Sequence, residues 1–143
     1  MLYQDYLKKL KECPFCKVEK KEILKQNSFA YAILAKAPYT EDHLLIIPKK
    51  HAVSLSDIEF KEKIGIEKLM FDILKKIHKK YKNVSVLYRE GNKFQIGKSI
   101  DHIHFHIIPN MQIGAYDIEF KDRKILNEED YLKKCKKALK LVS

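Results

Sequence analysis

The order of elements in this chain predicts an α+β domain built on a largely antiparallel sheet. Three observations carry that prediction. Runs rich in β-branched, aromatic and other apolar residues recur around residues 29–35, 43–48, 84–88 and 102–108. Between the second and third lies one long stretch with apolar residues at spacings of three and four. Parallel strands need a helical crossover at nearly every step, and one long helix cannot supply them.

Taken in order, Tyr6, Leu7 and Leu10 sit at helical spacing and mark a short N-terminal helix over about Asp5–Lys11. Cys13-Pro14-Phe15-Cys16 follows as a knuckle that can turn two thiolates toward one metal ion. Its redox reading needs a βαβ context and a helix opening at the motif, and the sequence shows neither. Residues from Glu22 to Gln26, a turn at Asn27-Ser28, and Phe29 to Ala35 read as a hairpin. The second arm alternates weakly and is expected to be buried on both faces. His43 to Pro48 is a further buried strand stopped by proline, with His51 just beyond it. The long helix is expected to start with Ser56 or Asp57 as cap and to run to about Tyr81, closed by Asn83. Its buried face carries Ile66, Leu69, Met70, Ile73, Leu74, Ile77 and Tyr81, and Gly65 is the unfavourable residue in its first turns. Val84 to Tyr88 is a strand, and Arg89 to Lys98, with Gly91 and Gly97, is a loop that comes near the histidines. Residues 111–124 show no clear pattern. Asn127 and Asp130 resemble an N-cap box that opens a C-terminal helix carrying Tyr131, Leu132, Cys135, Ala138 and Leu139. The whole, residues 1–143, reads as one domain with its core at about 13–110 and a C-terminal extension over 111–143. A small open sheet leaves an edge strand that a second copy can cover.

The composition narrows the partners. The 143-residue chain carries a formal net charge of +10, which attracts anions at long range. Nearly all the positive charge is lysine; Arg89 and Arg123 are the only arginines. Base readout and phosphate clamping favour the guanidinium fork, so the composition argues against nucleic acid as a partner and fits a phosphate-bearing small molecule better. No apolar run approaches the length of a membrane span. The start of the chain has no secretory pattern, so a cytoplasmic location is expected. Three cysteines do not make a disulfide framework in such a chain.

The chemistry is concentrated in Asp101-His102-Ile103-His104-Phe105-His106-Ile107-Ile108-Pro109. Side chains alternate across an extended strand, so His102, His104 and His106 share one face while Ile103, Phe105 and Ile107 point to the core. Adjacent imidazoles then lie about 6–7 Å apart along the strand, close enough for two of them to touch one phosphate. Ser54, Ser56 and Ser85 lack the glycine-rich elbow of a serine hydrolase. A histidine can itself attack phosphorus and split one displacement into two, with a neighbour holding an oxygen or the leaving group. His104, flanked on both sides, is the expected nucleophile. In parallel, Cys13, Cys16, His51 and one strand histidine make a Cys2His2 set, a closed and therefore structural metal site.

These residues resemble the histidine triad (HIT) family, whose pattern is His-φ-His-φ-His-φ-φ with φ apolar. The run His102 to Ile108 matches it throughout. His43-Leu44-Leu45-Ile46-Ile47-Pro48-Lys49-Lys50-His51 is similar to the family's His-x-Leu-Val-Ile-Pro-Lys-x-His, and Cys13-Pro14-Phe15-Cys16 to the C-x-F-C of its zinc-containing bacterial and archaeal members. The resemblance implies a HIT-like fold: a five-stranded, mainly antiparallel sheet with one long helix and a C-terminal helix, the sheet continued across a homodimer. It implies hydrolase or transferase chemistry on a nucleoside-linked phosphate through a nucleotidylated His104, with His106 at the reacting phosphate, Ser99 touching phosphate and His43 beside the nucleophile. Nucleoside phosphoramidates, adenylylated amines and dinucleoside polyphosphates are the substrate classes it suggests. It also implies structural zinc on Cys13, Cys16, His51 and His102, with no organic cofactor. A non-catalytic nucleotide-binding or regulatory protein is the alternative function.

The chain departs from the family pattern at several places. Ala35 stands where many members carry an Asp or Asn for the ribose. Asp42 replaces the Gly before His43, and Lys98 replaces the usual Gln after Gly97. Lys98 is therefore taken as a phosphate-binding residue, with Arg89 supplying further positive charge.

Overall fold

The structure, a computed structural model, describes residues 1–96, 98–113 and 124–142. Gly97 and most of the patternless stretch 111–124 lie outside the described residues. Contacts divide the chain into two compact units, Met1–Met111 and Gln112–Ser143.

The first unit holds helix α1 (Tyr3–Lys9), strands β1 (Lys25–Gln26), β2 (Ala30–Leu34) and β3 (Leu44–Pro48), helix α2 (Phe60–Ile77), strand β4 (Val84–Tyr88), the single-turn helix α3 (Lys93–Ile96) and strand β5 (Phe105–Pro109). The five strands form one sheet in the order β1-β2-β3-β5-β4, antiparallel at every step. The expected architecture is thus present. Three local features differ from the expectation. The long helix opens at Phe60, where Glu59 and Glu62 form a reciprocal capping box, and it ends at Ile77. Ser54 instead caps a separate 3-10 turn, Leu55–Asp57, accepting a hydrogen bond from the Ser56 backbone N–H. The loop after Arg89 contains α3.

Alternation along the strands sorts the core into two layers. Ala30, Ala32, Leu44, Ile46 and Ile107 face one side, where Ile66, Leu69, Met70 and Ile73 of α2 pack on them. Tyr31, Ile33, Leu45 and Ile47 face the other, where Phe15 and Ile100 are buried with Leu7 and Cys13 at their margin. The long helix therefore covers one face, and the N-terminal segment with the knuckle covers the other. The histidines, cysteines and serine singled out from the sequence for metal or substrate lie on that second side.

Asn27 fixes the β1–β2 turn. Its Oδ1 accepts from the backbone N–H groups of Phe29 and Ala30 at 2.9 and 3.0 Å, and its Nδ2 donates to the Gly65 carbonyl at 2.7 Å. The last bond draws α2 against the turn and explains Gly65: a Cβ there would stand 2.5 Å from Cδ2 and 2.8 Å from Cβ of Phe29. Alanine would gain about 1 kcal/mol of helix propensity, but overpacking costs about 1–3 kcal/mol. Both atoms belong to one ring-bearing side chain held at its own Cβ, so the clash wins. Gly65→Ala is expected to destabilise the fold by about 1–2 kcal/mol in urea unfolding; a stabilised variant would show that Phe29 moves freely.

The second unit contains helix α4 (Glu128–Val142). The Asn127 Oδ1 accepts from the Asp130 backbone N–H at 2.9 Å, which is the N-cap anticipated from the sequence.

Candidate active site

β5 begins at Phe105, so His102, in a bend, and His104 precede the strand rather than lie within it. The alternation survives this. Ile103 and Ile107 are buried in the α2 layer, with Phe105 packed against it. His104 and His106 line an open pocket of about 920 Å³ on the opposite side, together with His43, Lys98 and Ser99. The ring centroids of His104 and His106 are 5.0 Å apart.

His43 is brought to the pocket by Asp42, whose φ of +60° lies in the left-handed region. Glycine adopts that conformation freely, and Asp is one of the few other residues that tolerates it. Here the Asp42 carboxylate accepts from the Tyr81 hydroxyl at 2.5 Å and the Lys80 ammonium at 2.9 Å, which offsets the backbone strain and ties the turn to the segment just after α2. The residue before His43 is thus a working substitute for glycine.

The hydrogen bonds around the histidines set their tautomers. The Tyr39 backbone N–H donates to His43 Nδ1 at 3.1 Å. A neutral His43 must then carry its proton on Nε2, which lies 2.9 Å from His106 Nδ1. His106 Nδ1 accepts, so its own proton sits on Nε2 and is available to a substrate oxygen. His104 Nδ1 is 2.7 Å from the His102 carbonyl, an acceptor, and therefore donates. That leaves His104 Nε2 with a lone pair, the form a nucleophile requires. Burial pushes His43 down to about 4, and the charge of His104 adds to this. Burial, then His104 and His43, pushes His106 down to about 3. Burial also lowers His104, opposed by its bond to the His102 carbonyl. All three rings are neutral at neutral pH, so the tautomer chain holds there.

Sequence reasoning missed three contributors. Tyr39 stacks on His43 with centroids 5.3 Å apart and planes 12° apart. Phe15 sets its ring edgewise to both His102 and His104, at 5.8 and 5.2 Å. Tyr3 places its hydroxyl 2.9 Å from Ser99 Oγ. Only Phe15, an apolar residue inside the knuckle, carried a signal in the sequence. Loop and helix tyrosines far from the triad carry none.

Cys13, Cys16, His51 and His102 converge beside this pocket, with one ligand atom from each within 4.8 Å of the others. Cys13 Sγ and Cys16 Sγ lie 3.3 and 3.6 Å from His102 Nδ1, and Cys16 Sγ is 3.2 Å from His51 Nδ1. Tetrahedral zinc with bonds of about 2.0–2.3 Å needs ligand separations of roughly 3.3–3.8 Å. His102 Nε2 donates to the Pro48 carbonyl at 2.8 Å, which turns the Nδ1 lone pair toward the thiols. The four residues fit a tetrahedral metal ion, and every residue singled out for metal or substrate lies in this one region.

A profile of the HIT domain matches residues 17–113. The chain belongs to the HIT family. It is 33% identical over 129 residues to an adenosine 5'-monophosphoramidase of Schizosaccharomyces pombe, covering 82% of this chain and 94% of that one. Among solved structures, a histidine triad nucleotide-binding protein from Candida albicans is 26% identical with a TM-score of 0.66, covering 90% of this HIT protein and 95% of that chain. A diadenosine triphosphate hydrolase from Plasmodium falciparum is 25% identical with a TM-score of 0.57, covering 71% and 69%. Among its described residues this HIT protein has no helix long and apolar enough to cross a membrane.

Proposed function

We propose that this HIT protein is a nucleotide hydrolase that works through a covalent nucleotidyl-histidine on His104. The observation that carries the reading is the tautomer of His104: Nδ1 donates to the His102 carbonyl, and the ring lines the pocket with its other nitrogen unprotonated. Nε2 attacks the α-phosphorus while the bond to the leaving group breaks. Water then adds its oxygen to phosphorus, and the electron pair of the N–P bond returns to Nε2. His106 Nε2–H steadies a phosphate or leaving-group oxygen, and His43 keeps that proton in place. Ser99 and Lys98 bind phosphate. The names of the relatives support nucleoside phosphoramidates and dinucleoside polyphosphates as substrate classes.

Zinc on Cys13, Cys16, His51 and His102 belongs to the same reading, as a structural ion that fixes the start of the triad. So does a cytoplasmic homodimer. β4 is an outer strand of the sheet, and pairing with β4 of a second copy would cover its open edge.

The test is to incubate the protein with adenosine 5'-phosphoramidate and with diadenosine triphosphate, follow AMP release, and quench in alkali for intact mass. Release of AMP with a transient AMP-mass adduct mapped to His104 is expected. Tight nucleotide binding with neither turnover nor adduct would replace this reading with that of a non-catalytic binding protein.

A further inference from the structure

Lys98 is an unusual residue to find in this pocket. Its side chain is 7% exposed, and its ion-pair partner, Asp101 at 3.1 Å, is 59% exposed. A buried ammonium is costly unless it is well neutralised, and a carboxylate that remains largely in water neutralises it incompletely. Arg89 lines the same pocket. The field of both cations reaches His104, and that of Arg89 reaches His106 as well. Nearby Glu90 is also within the influence of Lys98, but its carboxylate is engaged by the Leu55 backbone N–H at 2.7 Å and the Tyr88 hydroxyl at 2.9 Å. The catalytic side of the pocket therefore holds more positive charge than a single phosphate linked to a neutral amine would use.

We propose that Lys98 and Arg89 form an anion subsite beside His104 that selects substrates whose leaving group is itself a phosphate, nucleoside polyphosphates, over substrates that lose a neutral amine. The inference rests on the nucleotidyl-histidine reading above and specifies its substrate. As His104 Nε2 bonds to the α-phosphorus, the P–O bond to the next phosphate breaks and its electron pair departs on that oxygen. The leaving nucleotide gains a negative charge, which Lys98 and Arg89 receive. Water then cleaves the N–P bond; its oxygen stays on the released nucleoside monophosphate and its proton passes to solvent. An amine leaving group needs the opposite provision, a proton donor. His106, held neutral by burial, offers a hydrogen bond but is a weak acid. Charge placement and proton supply thus favour the same substrate.

The experiment compares kcat/KM for diadenosine triphosphate and adenosine 5'-phosphoramidate in the wild type, Lys98→Gln, Lys98→Arg and Arg89→Gln. The wild type is expected to prefer the polyphosphate by about tenfold or more. Lys98→Gln should lower its kcat/KM by about tenfold and that of the phosphoramidate by about threefold, while Lys98→Arg restores most of the difference. Arg89→Gln should shift the ratio in the same direction. A wild type that prefers the phosphoramidate, or variants that lower both substrates equally, would overturn the selectivity while leaving the hydrolase reading intact. Turnover of neither substrate by a folded wild type would overturn both.

Discussion

His104→Ala is expected to lower kcat for nucleotide release by on the order of 10⁴-fold or more, with nucleotide affinity changed only a few-fold. Removing a covalent nucleophile abolishes the two-step path, and the remaining groups can only position substrate for direct attack by water. The loss should not be a folding effect. Among the described residues the side chain makes one hydrogen bond, to the His102 carbonyl, and such a bond contributes about 1 kcal/mol. Truncating a ring that lines an open pocket leaves no sealed cavity. A thermal midpoint within a few degrees of the wild type, read alongside isothermal titration with AMP, separates lost chemistry from lost structure. Turnover that persists in the variant would move the nucleophile elsewhere and remove the mechanism.

The proposed mechanism requires His43, His104 and His106 to be neutral at ordinary pH. A charged His43 would carry protons on both nitrogens and could not accept the Tyr39 N–H. A charged His106 would likewise carry a hydrogen on Nδ1, facing the His43 Nε2–H across 2.9 Å, and the chain of donors and acceptors would break. Burial prevents this by keeping both rings uncharged until pH falls to about 4.

Much of this was legible in the sequence because strict alternation is a strong signal. From the period of two alone, His104 and His106 could be separated from Ile103, Phe105 and Ile107, and the α2 layer and the pocket lining show that split; His102, on the same side, is buried in the Cys/His cluster instead. The order of the strands in the sheet was not readable, because antiparallel pairing depends on which faces and edges meet in space. The helix cap lies at Glu59 rather than at Ser56 or Asp57 because two capping signals lie in tandem, and Ser54 uses the first for a separate 3-10 turn. Asp42 read as a loss of the usual glycine; its strained φ and its bonds to Lys80 and Tyr81 show that the turn is retained by other means. Tyr39 sets the His43 tautomer through its backbone N–H, which every residue but proline possesses, and no spacing to the triad marks the ring that stacks on His43.

Removing the metal ligands is expected to have the largest effect on stability. With Cys13 and Cys16 both changed to serine, metal content by mass spectrometry should fall to background. For a metal present a thousandfold above its dissociation constant, binding stabilises the fold by about 4 kcal/mol. That corresponds to a drop in thermal midpoint on the order of 10–20 °C for a unit of this size. A strong chelator should lower the wild type toward the variant and leave the variant unmoved. The cause lies in how far apart the ligands are in the chain: the knuckle at residues 13–16, His51 after β3 and His102 before β5 meet only here. One ion held there would therefore join the N-terminal cover to the sheet. Activity should fall as well, by about tenfold or more, because the His102 carbonyl orients His104 and the Phe15 ring packs on both histidines. A wild type whose midpoint is indifferent to the chelator would reduce the cluster to thiol–imidazole hydrogen bonds. The orientation of His104 would then rest on Phe15 packing and on the bond from His102 Nε2 to the Pro48 carbonyl.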